Sequence, residues 1–171
     1  MDRDTSCACQ SAIGVNYRKR LLTARESYGG GKAYMKVNEI MVKEVATLDV
    51  NDELSLANDI MRLGRIRHLP VVDGTRLVGI VSERDLFRSS LAQALGYATK
   101  DTRDLMKTLH IKDVMVTGVI TITPDTEVCE ATKMMIEEKI GCLPVVEGNR
   151  LVGLITETDV LMQYVKECEK R

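Results

Sequence analysis

Apolar residues follow two spacings along the chain, and together these predict strands and helices in a fixed order. Three short runs rich in β-forming residues, Val45–Val50, Leu69–Val72 and Arg76–Val81, predict strands. Between the first two runs, apolar residues recur at helical spacing from Ala57 to Met61, and a last helix is expected to begin at Ser82. The predicted order is therefore strand, helix, strand, strand, helix.

The same pattern occurs a second time, displaced by 74 residues. The segment Leu69–Asp85 (LPVVDGTRLVGIVSERD) aligns without a gap on Leu143–Asp159 (LPVVEGNRLVGLITETD), and Val119–Thr123 corresponds to the first strand. Glycines at 74 and 148 suit the turns between the second and third strands. Helix caps are expected at Asn51 or Asp52 in the first copy, and at Asp125 or Thr126 in the second. Duplication of one βαββα unit follows.

One unit of about 50 residues is too short to bury a good core alone. We therefore expect an α+β fold in which two βαββα repeats pack sheet to sheet with pseudo-two-fold symmetry. The expected organisation is a flexible tail over 1–34, a first domain over 35–95, a helical linker over 96–108 and a second domain over 109–171; Met35 is an alternative start to Met1. Apolar helix faces around Ala57–Met61 and Ala131–Met135 predict a homodimer.

Composition narrows the classes of function. A formal net charge of −1 provides no basic excess for a nucleic acid backbone. No apolar run approaches the ~20 residues that span a bilayer, and the polar N-terminus lacks the apolar stretch of a signal peptide, so a cytoplasmic protein is expected. The five cysteines are scattered and fit neither a metal site nor a disulfide framework. No catalytic motif is present, so we do not expect an enzyme.

Two motifs in each repeat carry a resemblance to the CBS (cystathionine β-synthase) domain family. They are Leu69–Val72 and Gly79–Asp85, with partners Leu143–Val146 and Gly153–Asp159; the second motif matches the family's G-h-h-[ST]-x-x-D pattern. The resemblance implies a Bateman module that binds AMP, ADP, ATP or S-adenosylmethionine in clefts between its two domains. With no further domain in the sequence, it implies a stand-alone module that controls an unidentified partner protein.

The resemblance also implies which residues line each cleft. The first cleft would use Ser82, Asp85, Arg67 and His68 with Thr117, Val119 and Ile140, and the second would use Thr156 and Asp159 with Lys43, Val45 and Ile66. In each, the hydroxyl would contact phosphate, the carboxylate would hold ribose, and the first-strand segment would flank adenine. The cationic Arg67-His68 pair is Gly141-Cys142 in the other copy, so phosphorylated ligands should favour the first cleft.

Each assignment has a structural alternative. Ser-x-x-Asp at a helix start is close to a capping box, which satisfies free backbone N–H groups without any ligand. A purely structural dimerisation module is therefore an alternative function. Nucleic acid binding through Arg62, Arg65, Arg67 and Arg84 is a third hypothesis, which the neutral net charge disfavours.

Overall fold

The structure is a computed structural model that describes residues 35–87 and 109–170. It contains five strands, β1 (Leu48–Asp49), β2 (His68–Asp73), β3 (Arg76–Ser82), β4 (Cys142–Glu147) and β5 (Arg150–Thr156). Its α-helices are α1 (Leu54–Gly64), α2 (Val128–Glu138) and α3 (Glu157–Glu169), and residues 83–87 are also helical. Short 3-10 helices lie at Val37–Glu39 and Ile111–Asp113. The predicted tail over 1–34 and linker over 96–108 lie outside the described residues.

The predicted order of elements is confirmed, but the first strand of each repeat is shorter than expected. Only Leu48–Asp49 of the predicted Val45–Val50 run pairs, in parallel with β2. In the second repeat, Ile122 forms a single parallel bridge to Val145. A tight turn ends β1, because the Asp52 carboxylate accepts the backbone N–H of Asp49 at 2.8 Å.

The helix caps predicted at Asn51 or Asp52 and at Asp125 or Thr126 are wrong. The cap residues are Glu53 for α1 and Glu127 for α2, and neither side chain accepts a capping hydrogen bond. Main-chain carbonyls replace the side chains: Leu54 N–H donates to Leu109 O at 2.9 Å, and Val128 N–H donates to Met35 O at 3.0 Å. The start of each helix is therefore satisfied by the segment that leads into the other repeat.

The strands of both repeats join into one sheet in the order β1-β2-β3-β5-β4. β2 and β3 form one antiparallel hairpin, and β4 and β5 form the other. The turns contain Gly74 and Gly148 with φ of 65° and 62°, a conformation that glycine adopts without steric cost. Arg76 of β3 pairs with Arg150 of β5, so the two α+β units meet edge to edge at this point.

Each hydrophobic core is completed by a residue from the other repeat. Ile111, which leads into the second repeat, is fully buried with Leu69 and Val81 of the first. Val37, which leads into the first repeat, is fully buried with Leu143 and other core residues of the second. The two leading segments therefore cross over, and neither repeat encloses its core with its own residues alone.

The motif glycines lie where these leading segments cross the sheet. Val116 and Ile80 exchange backbone hydrogen bonds of 3.0 and 2.9 Å beside Gly79. A Cβ atom at position 79 would lie 2.7 Å from Met115 Sδ and 3.1 Å from Val116 O. Gly153 has the same arrangement, with Met41 Sδ at 2.6 Å from the Cβ position. Glycine is required at both positions because the crossing segment leaves no room for a side chain.

The helix faces from which we predicted a homodimer are buried inside the chain. Ala57 and Met61 pack in the first core, and Ala131 and Met135 in the second, so none of them is available to a second copy. Among the described residues, the large apolar side chains that are exposed are Val42, Leu56, Leu63, Phe87, Val116, Ile136, Leu161, Met162, Tyr164 and Val165. Within the described residues, no helix is long and apolar enough to cross a membrane.

Candidate functional site

The Ser-x-x-Asp segment at the end of β3 forms a reciprocal capping box. Asp85 N–H donates to Ser82 Oγ at 3.3 Å, and Ser82 N–H donates to Asp85 Oδ2 at 3.0 Å. The Ser82 hydroxyl also donates to Asp85 Oδ2. The capping interpretation of these two residues is therefore confirmed, and the same bonds fix the Asp85 side chain at the start of the helix.

The second repeat builds the same box with a threonine. Asp159 N–H donates to Thr156 Oγ1 at 3.4 Å, and the backbone N–H and hydroxyl of Thr156 donate to Asp159 Oδ2 at 2.8 and 2.7 Å. In both repeats the box uses only the Oδ2 atom of the aspartate. The two motif aspartates are therefore held in the same way at the two helix starts.

A cavity of about 730 Å³ lies beside the first box, between the two repeats. It is within the size range of pockets for drug-sized ligands. Six of the seven residues predicted for the first cleft line it: Arg67, His68, Ser82, Asp85, Val119 and Ile140. Thr117 does not line it, although the next residue, Gly118, does. The residues predicted for the second cleft, Lys43, Val45, Ile66, Thr156 and Asp159, are not among its lining residues.

Sequence reasoning missed eleven residues that line this cavity. They are Ile80, Glu83, Arg84, Phe87, Val116, Gly118, Ile120, Lys139, Gly141, Cys142 and Glu157. In the sequence, Gly141 and Cys142 are only the equivalents of Arg67 and His68 in the second copy. The cavity brings both pairs together because it lies between the repeats. The crossover of the leading segments also accounts for Val116 and Ile120.

Charges in the cavity are balanced and come from both repeats. The cations are Arg67 and Arg84 of the first repeat and Lys139 of the second. The acids are Glu83, Asp85 and Glu157. In the part of the chain that the structure describes, none of the three cations takes part in an ion pair. The cavity therefore offers cationic groups that an anionic ligand can engage.

His68 crosses toward the second repeat because Gly141 has no side chain. A Cβ atom at position 141 would lie 3.2 Å from His68 Cε1 and 3.6 Å from Glu157 Oε2. Burial lowers the pKa of His68 below its usual 6.5, and the neighbouring Arg67 and Arg84 lower it further, while Glu157 and Asp85 oppose the shift. The imidazole is therefore neutral at pH 7 and surrounded by charges from both repeats.

Cys142 is buried in the wall of the cavity. Burial, with a contribution from the Glu157 carboxylate, raises the pKa of its thiol to about 12. The thiol is therefore protonated near neutral pH, which makes it a poor nucleophile and a poor metal ligand. The described residues also contain no cluster of histidine, cysteine and acidic side chains that could hold a metal ion.

Comparison with known proteins identifies the family. The family model for the CBS domain matches residues 37–92 and again residues 111–166. The chain belongs to the CBS domain family. It contains a tandem CBS pair whose two matches coincide with the two repeats.

Similar proteins include both CBS pairs and larger enzymes. A CBS domain-containing protein of Dictyostelium discoideum is 30% identical over 78% of this chain and 93% of its own length. Inosine-5'-monophosphate dehydrogenase of Korarchaeum cryptofilum is 31% identical over 93% of this chain, which spans only 30% of that enzyme.

A solved structure also resembles the chain closely. The CBS domain pair of protein MJ0100, determined in complex with 5'-methylthioadenosine and S-adenosyl-L-methionine, superposes with a TM-score of 0.66. It is 28% identical and is matched over 79% of this chain and 99% of its own. The fold of two CBS units is therefore shared over nearly the whole of that structure.

Proposed function

We propose that this CBS pair is a regulatory module that binds a phosphorylated adenosine ligand in the cavity between its repeats and controls a partner protein. The observation that carries the proposal is the combination of a capped helix start at Ser82 with the cations Arg67 and Arg84 in one cavity. A helix N-terminus presents N–H groups and positive potential, and guanidinium groups match phosphate geometry. MJ0100, which binds adenosyl compounds, supports the adenosine class.

The nucleoside part has matching partners on the other walls. The Asp85 carboxylate is held at the cavity wall by the capping box, where it would accept hydrogen bonds from the ribose hydroxyls. Val119 and Ile140, with Ile80, would cover the faces of the adenine ring. These residues come from both repeats, so a bound ligand would contact both and could change how tightly they are held together.

The second cleft differs in charge, and we propose that it disfavours phosphate. Shifting the lining residues of the cavity by 74 positions replaces Arg84 by Thr158 and Gly118 by Glu44, whereas Arg67 and Gly141 exchange places. The charged lining residues of the cavity comprise three cations and three acids, whereas the shifted set comprises two cations, Arg65 and Arg67, and four acids. Lys43 would offset one of these acids. A neutral or cationic adenosine compound, such as S-adenosylmethionine, fits that cleft better.

We also propose that the module forms a homodimer through α3. Leu161 and Val165 are each more than half exposed and lie one turn apart on the same face of α3. Phe87, which corresponds to Leu161 in the first repeat, is exposed as well. Contiguous exposed apolar residues are typical of interfaces. A self-complementary surface of this kind suits a second copy related by two-fold symmetry.

Calorimetry with AMP, adenosine and S-adenosylmethionine tests the ligand proposal. AMP should bind more tightly than adenosine by about tenfold or more, because one charge-assisted phosphate contact contributes ~1.5–3 kcal/mol. Asp85→Asn should abolish the tighter AMP event, whereas the matched Asp159→Asn variant, which alters the equivalent capping box, should retain it. If neither AMP nor S-adenosylmethionine binds, the ligand-sensing function is wrong. If Asp159→Asn alone abolishes AMP binding, the site is the other cleft.

A further inference from the structure

Two residues of the described chain adopt a backbone conformation that their side chains disfavour. Arg65 and Lys139 are the non-glycine residues with positive φ in 35–87 and 109–170, at φ 52° and 56°. They occupy matched positions, since each is the C-cap of its helix, α1 or α2. Glycine adopts this left-handed conformation without steric cost, whereas a residue with a Cβ atom is strained there.

The fold does not use the side chain of Lys139 at this cap. The helix end is satisfied by backbone groups, because the N–H groups of Lys139 and Ile140 both donate to Met135 O. The lysine side chain is exposed and forms no ion pair with any described residue. Glycine at position 139 would therefore make the folded chain more stable. A strained residue kept without a structural need indicates a function for its side chain.

Lys139 lines the cavity that also contains Arg67 and Arg84. It differs from those two cations in coming from the second repeat, at the turn between α2 and β4. We propose that Lys139 is a specificity residue of the cavity, which contacts the phosphate of the bound adenosine ligand with its Nζ ammonium. This inference rests on the proposed function. A lysine suits the role because its flexible stem carries a compact charge to an anion.

Arg65 provides a matched control. It has the same cap position, the same strained backbone and the same positive charge, but it does not line this cavity; the 74-residue shift places it at the second cleft, which we propose disfavours phosphate. Replacing either residue by glycine relieves the same strain. Only the replacement at 139 removes a cation from the proposed phosphate site.

The test compares Lys139→Gly and Arg65→Gly with the unaltered chain by thermal unfolding and by calorimetry with AMP and adenosine. Both variants should unfold about 2–4 °C higher, because the left-handed strain is relieved. Lys139→Gly should bind AMP about tenfold more weakly and adenosine with unchanged affinity, since only AMP carries the phosphate. Arg65→Gly should leave the tighter AMP event unchanged, because Arg65 does not line this cavity. Greater stability combined with weaker AMP binding is a result that a structural role does not produce.

Several results would overturn the inference. Unchanged AMP affinity in Lys139→Gly would show that the lysine does not contact phosphate. Equal loss of AMP and adenosine binding, or an equal effect of Arg65→Gly, would show a general change in the fold. If Lys139→Gly fails to fold, Lys139→Asn, which tolerates the left-handed conformation, takes its place. If the unaltered chain binds neither AMP nor adenosine, the proposed function fails as well, so the two failures are distinguishable.

Discussion

Replacing Gly79 by alanine should destabilise the CBS pair by about 2–4 kcal/mol. The new methyl group would lie 2.7 Å from Met115 Sδ and 3.1 Å from Val116 O, so the crossing segment must move away from β3. That movement breaks the two backbone hydrogen bonds between Ile80 and Val116, each worth about 0.5–1.5 kcal/mol, and strains the packing of Met115 by about 1–3 kcal/mol. The lower conformational entropy of unfolded alanine offsets about 0.5–1 kcal/mol of this loss.

Urea unfolding followed by far-ultraviolet circular dichroism measures the effect. With a denaturant slope of about 1–3 kcal/mol/M, the unfolding midpoint should fall by about 1–2 M. The matched control is Gly64→Ala at the end of α1, where the nearest atom to a new Cβ is Ile66 Cγ1 at an ordinary 3.5 Å. That substitution should leave the free energy of unfolding unchanged or raise it by up to about 1 kcal/mol.

A second variant isolates the cause of the Gly79 effect. Met115 Sδ is the atom nearest to the new methyl group, so shortening Met115 in the Gly79→Ala background should recover part of the lost stability. Recovery in the double variant would locate the strain at the crossing segment. A Gly79→Ala chain as stable as the unaltered one would refute the reasoning, because the leading segment would then not be held against β3.

The secondary structure could be predicted from the repeat, but the crossover of the leading segments could not. Strand alternation and turn glycines locate the two hairpins, and the helix pattern locates α1 and α2. Val37 and Ile111 occupy equivalent positions in the two copies and are both apolar. Either residue would therefore suit either core, and the sequence does not indicate which core each one enters. The predicted helix caps are wrong for a related reason, because the backbone carbonyls of Leu109 and Met35 accept the hydrogen bonds that were expected to go to side chains.

The candidate site was likewise predictable only in part. Ser82 and Asp85 were predictable because the motif is local and repeated. Lys139 and Glu157 reach the same cavity from the other repeat, which a reading of one motif at a time does not reveal. The strain at Lys139 is a property of the backbone and leaves no compositional signal. Alignment of the two copies does, however, reveal the differences at 67 and 141 that make the cavity asymmetric.

Two further predictions concern the dimer surface and the buried imidazole. Leu161→Asp should convert a dimer to a monomer in sedimentation experiments without lowering the melting temperature of the chain. The control variant Lys166→Glu, on the same helix, should remain a dimer. A dimer that persists in Leu161→Asp would exclude this face as the interface. For His68, burial and Arg67 hold the folded-state pKa below 6.5, so the unfolded chain binds the proton first as the pH falls. The stability that neutral His68 contributes is therefore fully present above pH 6.5 and is lost as the pH falls toward the lower folded-state pKa. His68→Gln removes this pH-dependent contribution to the free energy of unfolding. When melting temperatures are measured from pH 7.5 to 5.5 in steps of about half a pH unit, the variant should therefore lose less stability than the unaltered chain. His110 is present in both chains and cancels in the comparison. Parallel declines would mean that Glu157 and Asp85 offset the desolvation of the imidazole, and that His68 is not held neutral by its surroundings.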